Sequence, residues 1–157
     1  MPLFNSDISE AFEARLQPLL DDLATKGNAF KVKKDALLSQ FEDRGISGKA
    51  FKPMYQTLRE LNDKKRTLKS VAEQFPHVPK KQIQELAKIL SKDEPAMLDL
   101  LRDYQKTQQA VLQEADKWYN VYVRNLPNGD DCLDSAYEWL KERVDTLDDE
   151  VRAGLKG

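Results

Sequence analysis

Residues 97–122 read MLDLLRDYQKTQQAVLQEADKWYNVY, and within them Met97, Leu101, Tyr104, Gln108, Val111, Ala115, Trp118 and Tyr122 recur in alternating steps of four and three. Steps that average 3.5 residues nearly match the helical turn, so these positions form one stripe along a helix that packs lengthwise on a partner. Gln108 is the polar interruption in the seam. Beyond the turn-forming run Asn125-Leu126-Pro127-Asn128-Gly129, the same steps resume through Leu133, Tyr137, Leu140, Val144, Leu147 and Val151. Two long seams separated by a short turn predict an antiparallel helical hairpin. The Trp and Tyr residues in these seams are read as core, where large aromatics supply much of the burial.

Upstream, the pattern breaks into shorter pieces. Asp93-Glu94-Pro95 is expected to open the long helix, because proline suits a first helical turn. A helix ending near Lys92 precedes it, entered through the turn Pro76-His77-Val78-Pro79. Before that turn, Thr67 opens a short helix that runs to Phe75. Phe51, Met54, Tyr55, Leu58 and Leu61 form the apolar stripe of another helix, with Lys49, Lys52, Gln56 and Arg59 on its far side. Arg44-Gly45-Ile46 reads as a glycine C-cap followed by an apolar residue that packs back on a helix carrying Leu37, Leu38 and Phe41. Ile8, Phe12, Leu16, Leu19, Leu20 and Leu23 define a first helix after the N-cap Ser6, with Pro18 expected to kink or split it and Gly27 to close it.

With only six glycines and no alternating Val/Ile/Thr run of strand length, the fold class is all-α, with about six to seven helices. The expected organisation is a helical region over 1–92 with a basic centre at 26–92, followed by an acidic long-helix hairpin over 93–157, in one continuous domain.

Charge is dealt unevenly along the chain. The net is −4 over residues 1–25, +9 over 26–92 and −7 over 93–157, which the overall −2 conceals. A basic middle points to an anionic partner, and acids along the C-terminal seams suit the solvated flanks of a hairpin. Met1-Pro2-Leu3-Phe4 lacks the basic and long apolar segments of a secretory signal, so the expectation is a cytoplasmic protein without a membrane partner. The single cysteine, Cys132, and the single histidine, His77, allow neither an internal disulfide nor a conventional zinc centre.

Several patterns suggest chemistry. Residues 67–90 have a helix-turn-helix outline: Leu68, Val71, Ala72, Phe75, Ile83, Leu86, Ala87 and Leu90 turn inward, while Lys81, Gln84, Glu85 and Lys88 point out. A recognition helix uses such outward residues to neutralise phosphate and bond base edges, although Glu85 would repel phosphate. Asp130, Asp131 and Asp134 have the DDxxD spacing of all-α isoprenoid synthases, which hold magnesium through carboxylate oxygens. Those enzymes need a larger chain and a second metal motif, and acids in a first helical turn already favour the positive end of the helix dipole. No glycine-rich phosphate loop, triad or metal constellation emerges, so no enzymatic activity, cofactor or metal is expected.

Phe41 to Arg66, with Gly45-Ile46 followed by Lys49, Phe51, Lys52, Arg59 and Lys64-Lys65-Arg66, locally resembles GapR-type nucleoid-associated proteins. The resemblance implies sequence-tolerant duplex binding by lysines of an oligomer. It covers 26 residues. Phe75-Pro76, Ile83, Leu86 and Leu100-Leu101 are spaced much as in CUE ubiquitin-binding modules, which implies an apolar contact to ubiquitin, with Gln74 where that family has Met.

The function expected from the sequence is that of a non-enzymatic, nucleic-acid-associated regulatory or accessory protein. Lys49, Lys52, Arg59, Lys64, Lys65, Arg66, Lys69, Lys81 and Lys88 are its phosphate contacts, and the hairpin is its route to a homo-oligomer. Six engaged cations would give a slope of log K against log salt of roughly −5 on duplex. The alternative is a protein-interaction module, acting as adaptor, inhibitor or chaperone.

Overall fold

The computed structural model describes the backbone of residues 5–125 and 129–155, and the side chains of 10–121 and 135–155. The regular elements among them are helical: α1 (Asn5–Glu42), a single 3-10 turn (Gly48–Ala50), α2 (Phe51–Asn62), α3 (Leu68–Gln74), α4 (Lys80–Asn125) and α5 (Gly129–Val151). The all-α class stands. The count does not reach six to seven, because two expected boundaries lie inside continuous helices.

The first is Gly27, which does not end a helix but sits buried within α1. A Cβ there would stand 2.7 Å from Val151 Cγ2 and 3.2 Å from Tyr104 Cε2. Glycine in a helix interior costs about 1 kcal/mol relative to alanine, and here its missing side chain makes room for a close approach. The second is Pro95, which lies inside α4 rather than at its start. Pro18 likewise leaves α1 unsplit. Both prolines are exposed, so the carbonyl four residues back that loses its N–H partner faces the solvent side, where water satisfies it.

The chain divides into two compact units, residues 1–29 with 100–151, and residues 30–99 with 152–157. The first contains 8 basic and 17 acidic residues, a net of −9, and the second 17 and 10, a net of +7.

In the acidic unit, three helical segments pack through their seams. Phe12, Leu16, Leu20 and Leu23 of α1, Tyr104, Val111 and Ala115 of α4, and Ala136, Leu140, Val144 and Val151 of α5 are buried. Each large side chain so placed contributes about 1.5–3 kcal/mol relative to exposure. Phe12 meets Trp118 edge-on at 6.3 Å, and Arg15 Nε lies 3.0 Å from Glu114. The Tyr104 hydroxyl donates to Asp148 at 3.0 Å and the Tyr137 hydroxyl to Asp116 at 2.9 Å. Burial and then the Asp116 bond push the Tyr137 phenol above its ordinary pKa.

The basic unit is built from short elements and caps. Phe41 accepts from Ile46 N–H, and Glu42 from Gly45 N–H, both at 2.9 Å, while Gly45 adopts φ +80°. This is the Schellman geometry expected from Arg44-Gly45-Ile46, and Ile46 is buried behind it. Ser47 precedes the 3-10 turn without a side-chain cap bond, so α2 begins four residues later, at Phe51. Thr67 caps α3 by accepting from Ser70 N–H at 3.1 Å. Phe30, Leu37, Phe41, Phe51, Met54, Leu58, Val71, Ile83, Leu86 and Leu90 form the core.

Lys34 is also buried, with Nζ 3.4 Å from Asp35. Together with Phe30, Leu37 and Phe41 it continues the four-three stepping along α1 that the apolar residues alone do not reveal.

Candidate nucleic-acid interface

The outer face of α2 arises from its own periodicity. Phe51, Met54, Thr57 and Leu58 turn inward, which leaves Lys52, Gln56 and Arg59 exposed. At its C-terminus the chain reverses through Lys64, a non-glycine residue at φ +62°. Lys65 N–H donates to the Glu60 carbonyl at 2.8 Å and Lys64 N–H to that of Leu61 at 3.1 Å, a second Schellman turn built on a lysine. The left-handed conformation costs a residue with a Cβ roughly 1–2 kcal/mol.

Two adjoining clefts flank α2 within the basic unit. One, of about 400 Å³, is lined by Phe51, Lys52, Tyr55, Arg59, Asp63 and Lys65 among others. The other, of about 640 Å³, is lined by Lys49, Lys52, Thr57, Arg66 and Gln74 among others. Lys52, Gln56, Glu60 and Leu155 border both. Five of the nine expected phosphate contacts, Lys49, Lys52, Arg59, Lys65 and Arg66, therefore share this surface, against two lining carboxylates, Glu60 and Asp63.

The five cations are not equivalent. Arg66 Nε lies 2.9 Å from Glu60, and its terminal nitrogen donates to Gln74 Oε1 at 2.5 Å. Arg59 Nε lies 3.5 Å from Glu94. Glu94 also accepts from the Tyr55 hydroxyl, and burial followed by that bond raises the Tyr55 phenol well above its ordinary value. Lys49, Lys52 and Lys65 are exposed, and among the described residues no carboxylate lies within ion-pair distance of them. Those three lysines are the unneutralised charge of the clefts.

The remaining four expected contacts stand elsewhere. Lys64 occupies the strained turn, Lys69 is on α3, and Lys81 and Lys88 are on the first turns of α4; all are exposed and none lines either cleft. Glu85, expected to point outward beside them, is half-buried and pairs with Arg44 at 3.5 Å. Sequence reading missed three features of the surface: the neutralising Glu60 and Glu94, the contribution of Gln74 and Leu155, and the placement of Tyr55, taken for core, in the wall of a cleft.

Other motifs carry less. Ile83 and Leu86 share one unbroken helix with Leu100 and Leu101, whereas a compact three-helix module of the CUE type places them on separate helices. The side chains of Asp130, Asp131, Cys132 and Asp134 lie outside the described residues. His77 is exposed in the turn between α3 and α4. Among the described residues, no three His, Cys, Asp or Glu side chains converge on a metal-sized site, and no helix is long and apolar enough to cross a membrane. Comparison of the chain with protein-family models, with curated proteins and with solved structures finds no match to any of them.

Proposed function

We propose that the protein is a non-enzymatic, nucleic-acid-associated regulatory or accessory protein that binds through its basic unit. One observation carries this reading. Lys49, Lys52 and Lys65 converge on adjoining clefts without a carboxylate partner, while Arg59 and Arg66 beside them are held by Glu94 and Glu60. Unpaired ammonium groups release condensed counterions from a phosphate backbone when they engage it. Arginines already bonded to carboxylates would have to exchange one partner for another.

The expected salt slope is accordingly smaller than the nine cations suggest. Three engaged lysines give roughly −3 on duplex and −2 on a single strand. A salt titration of binding tests the reading. Slopes of this size support it, and a flat titration or no binding at low salt contradicts it.

The antiparallel pairing of α4 with α5 belongs to the same proposal. The contacts Tyr104–Asp148 and Tyr137–Asp116 run in opposite order along the two helices and support it. Among the described seam residues, Tyr104, Val111, Ala115, Leu140, Val144 and Val151 are buried within one chain, so a homo-oligomer through the hairpin is not carried forward. The alternative, a protein-interaction module, draws on a groove of about 400 Å³ in the acidic unit, where Leu20, Trp139 and Leu147 are bordered by Asp21, Glu142 and Glu150, with one cation, Arg143, over the Trp139 ring. That lining suits a basic amphipathic segment of another protein. A protein partner that survives nuclease treatment would favour this alternative.

A further inference from the structure

The chain leaving α5 returns to the candidate interface. Val151 closes that helix, and the residues from Arg152 on belong to the basic unit. They reverse at once: Leu155 N–H donates to the Arg152 carbonyl at 3.0 Å, with Gly154 at φ +87°. A Cβ on Gly154 would stand 2.9 Å from Leu38 Cδ1, and it would also strain the left-handed backbone. Glycine therefore lets the turn lie close against Leu38 of α1, and the next residue, half-buried Leu155, lines the clefts beside α2.

Where Leu155 stands follows from the rows of α2. Phe51, Tyr55 and Arg59 line the smaller cleft, Pro53 and Thr57 the larger, and Lys52, Gln56 and Glu60, spaced four apart, line both. The last three form the ridge between the clefts. Among the described residues, Leu155 is the one from outside α2 that borders both. Lys49 lies on the side of the larger cleft and Lys65 on that of the smaller. A phosphate backbone that engages both lysines has to cross the ridge, and there it meets an apolar side chain that offers neither charge nor a hydrogen bond. Pressing a phosphate against leucine strips its water without replacing it. The backbone and Leu155 compete for the same ground.

We infer that residues 152–155 are an autoinhibitory strap across the α2 ridge, displaced when a phosphate backbone runs from Lys49 through Lys52 to Lys65. This rests on the nucleic-acid reading above and adds a means of regulating it. The apparent affinity is the intrinsic one reduced by the fraction of molecules whose strap is lifted. Exposing a half-buried leucine holds that fraction at roughly a fifth to a tenth, so the strap tunes binding without abolishing it.

The test is fluorescence anisotropy of the full chain with labelled oligothymidylate and a labelled duplex, titrated with salt. Leu155→Ser removes the apolar anchor, and Gly154→Val opens the turn by a different route. Each variant is expected to bind about five- to tenfold tighter than wild type at an unchanged salt slope, because the same lysines are engaged. Thermal melts establish that the variants are folded. Hydrogen exchange of the wild-type chain gives a readout that needs no variant: saturation with the strand speeds exchange in the peptide covering 152–155, whereas a ligand resting on the tail would slow it. Unchanged or weaker binding by the folded variants, or exchange at 152–155 that slows or stays the same, overturns the strap and leaves the nucleic-acid reading standing. Absence of binding by wild type and both variants overturns both.

Discussion

In the acidic unit, three helical segments meet along regular seams, and their charges lie on the outer flanks. In the basic unit, short helices joined by left-handed turns leave clefts that their cations line. Regular seams fill the space between helices, so a bundle of this kind offers grooves but few recesses. Short helices that change direction at Gly45 and Lys64 cannot interlock along their length, and the space they leave beside α2 becomes concave surface. Both units thus carry concave surface of about 400 Å³ or more, and the lining separates them: carboxylates border Leu20, Trp139 and Leu147 in one, and lysines without an ion pair stand beside α2 in the other.

Four perturbations separate the two units. The largest effect is expected at Gly27, where a side chain has no room between Tyr104 and Val151. Gly27→Val lowers the unfolding free energy by about 3 kcal/mol through overpacking, measured by denaturant titration, and leaves the affinity of the folded protein for nucleic acid intact. Next, Lys64→Gly relieves the left-handed lysine and raises stability by about 1 kcal/mol. It weakens binding little, because Lys64 lines neither cleft.

The two anchored tyrosines provide the third. Tyr55 and Tyr137 both have raised pKa values, so the folded state retains a proton that the unfolded state releases near pH 10. Their contribution is complete below that pH and is lost as pH rises toward the folded values. Thermal melts across the alkaline range are expected to show this decline. Tyr55→Phe and Tyr137→Phe each flatten it, one in each unit.

The smallest effect concerns Arg15 and Glu114. The Arg15 hydrogen bond holds the Glu114 carboxyl below its usual range, but Arg15 is 58% exposed and solvent screens the pair. Arg15→Gln costs about 0.5 kcal/mol at neutral pH. A depressed carboxylate stabilises above its unfolded pKa, so the difference vanishes as pH falls through the folded value. Urea titrations at neutral and acidic pH are expected to show both.

How much of this was legible in the sequence follows the same division. The seams of α4 and α5 were readable because heptad stepping repeats over many turns, and Tyr104, Val111, Ala115, Leu140 and Val144 are all buried as that stepping requires. The Gly45 cap was readable because glycine followed by an apolar residue has a local cause. Gly27 and Pro95 misled because each is a breaker by local propensity, and only partners far along the chain, or exposure to water, make it tolerable within a helix. At the site, the α2 periodicity presented Lys52 and Arg59, whereas Lys49, expected on the same helix, stands on the 3-10 turn before it. Nothing local disclosed that Glu60 holds Arg66 across a turn or that Glu94 holds Arg59. Ion pairs across a turn or between distant segments leave no period, and they decide which cations remain available.

In the proposed function, the position of Lys49, Lys52 and Lys65 in the α2 clefts, rather than net charge, directs binding. The direct test compares two triple variants with the same change in net charge: Lys49, Lys52 and Lys65 each to Gln in the clefts, and Lys69, Lys81 and Lys88 each to Gln outside them. Salt-titrated binding of a single strand is measured for both beside wild type. The cleft variant is expected to lose about tenfold or more in affinity and most of its salt slope, while the outer variant keeps a slope near −2. Equal losses in the two variants, or a larger loss in the outer one, would contradict it.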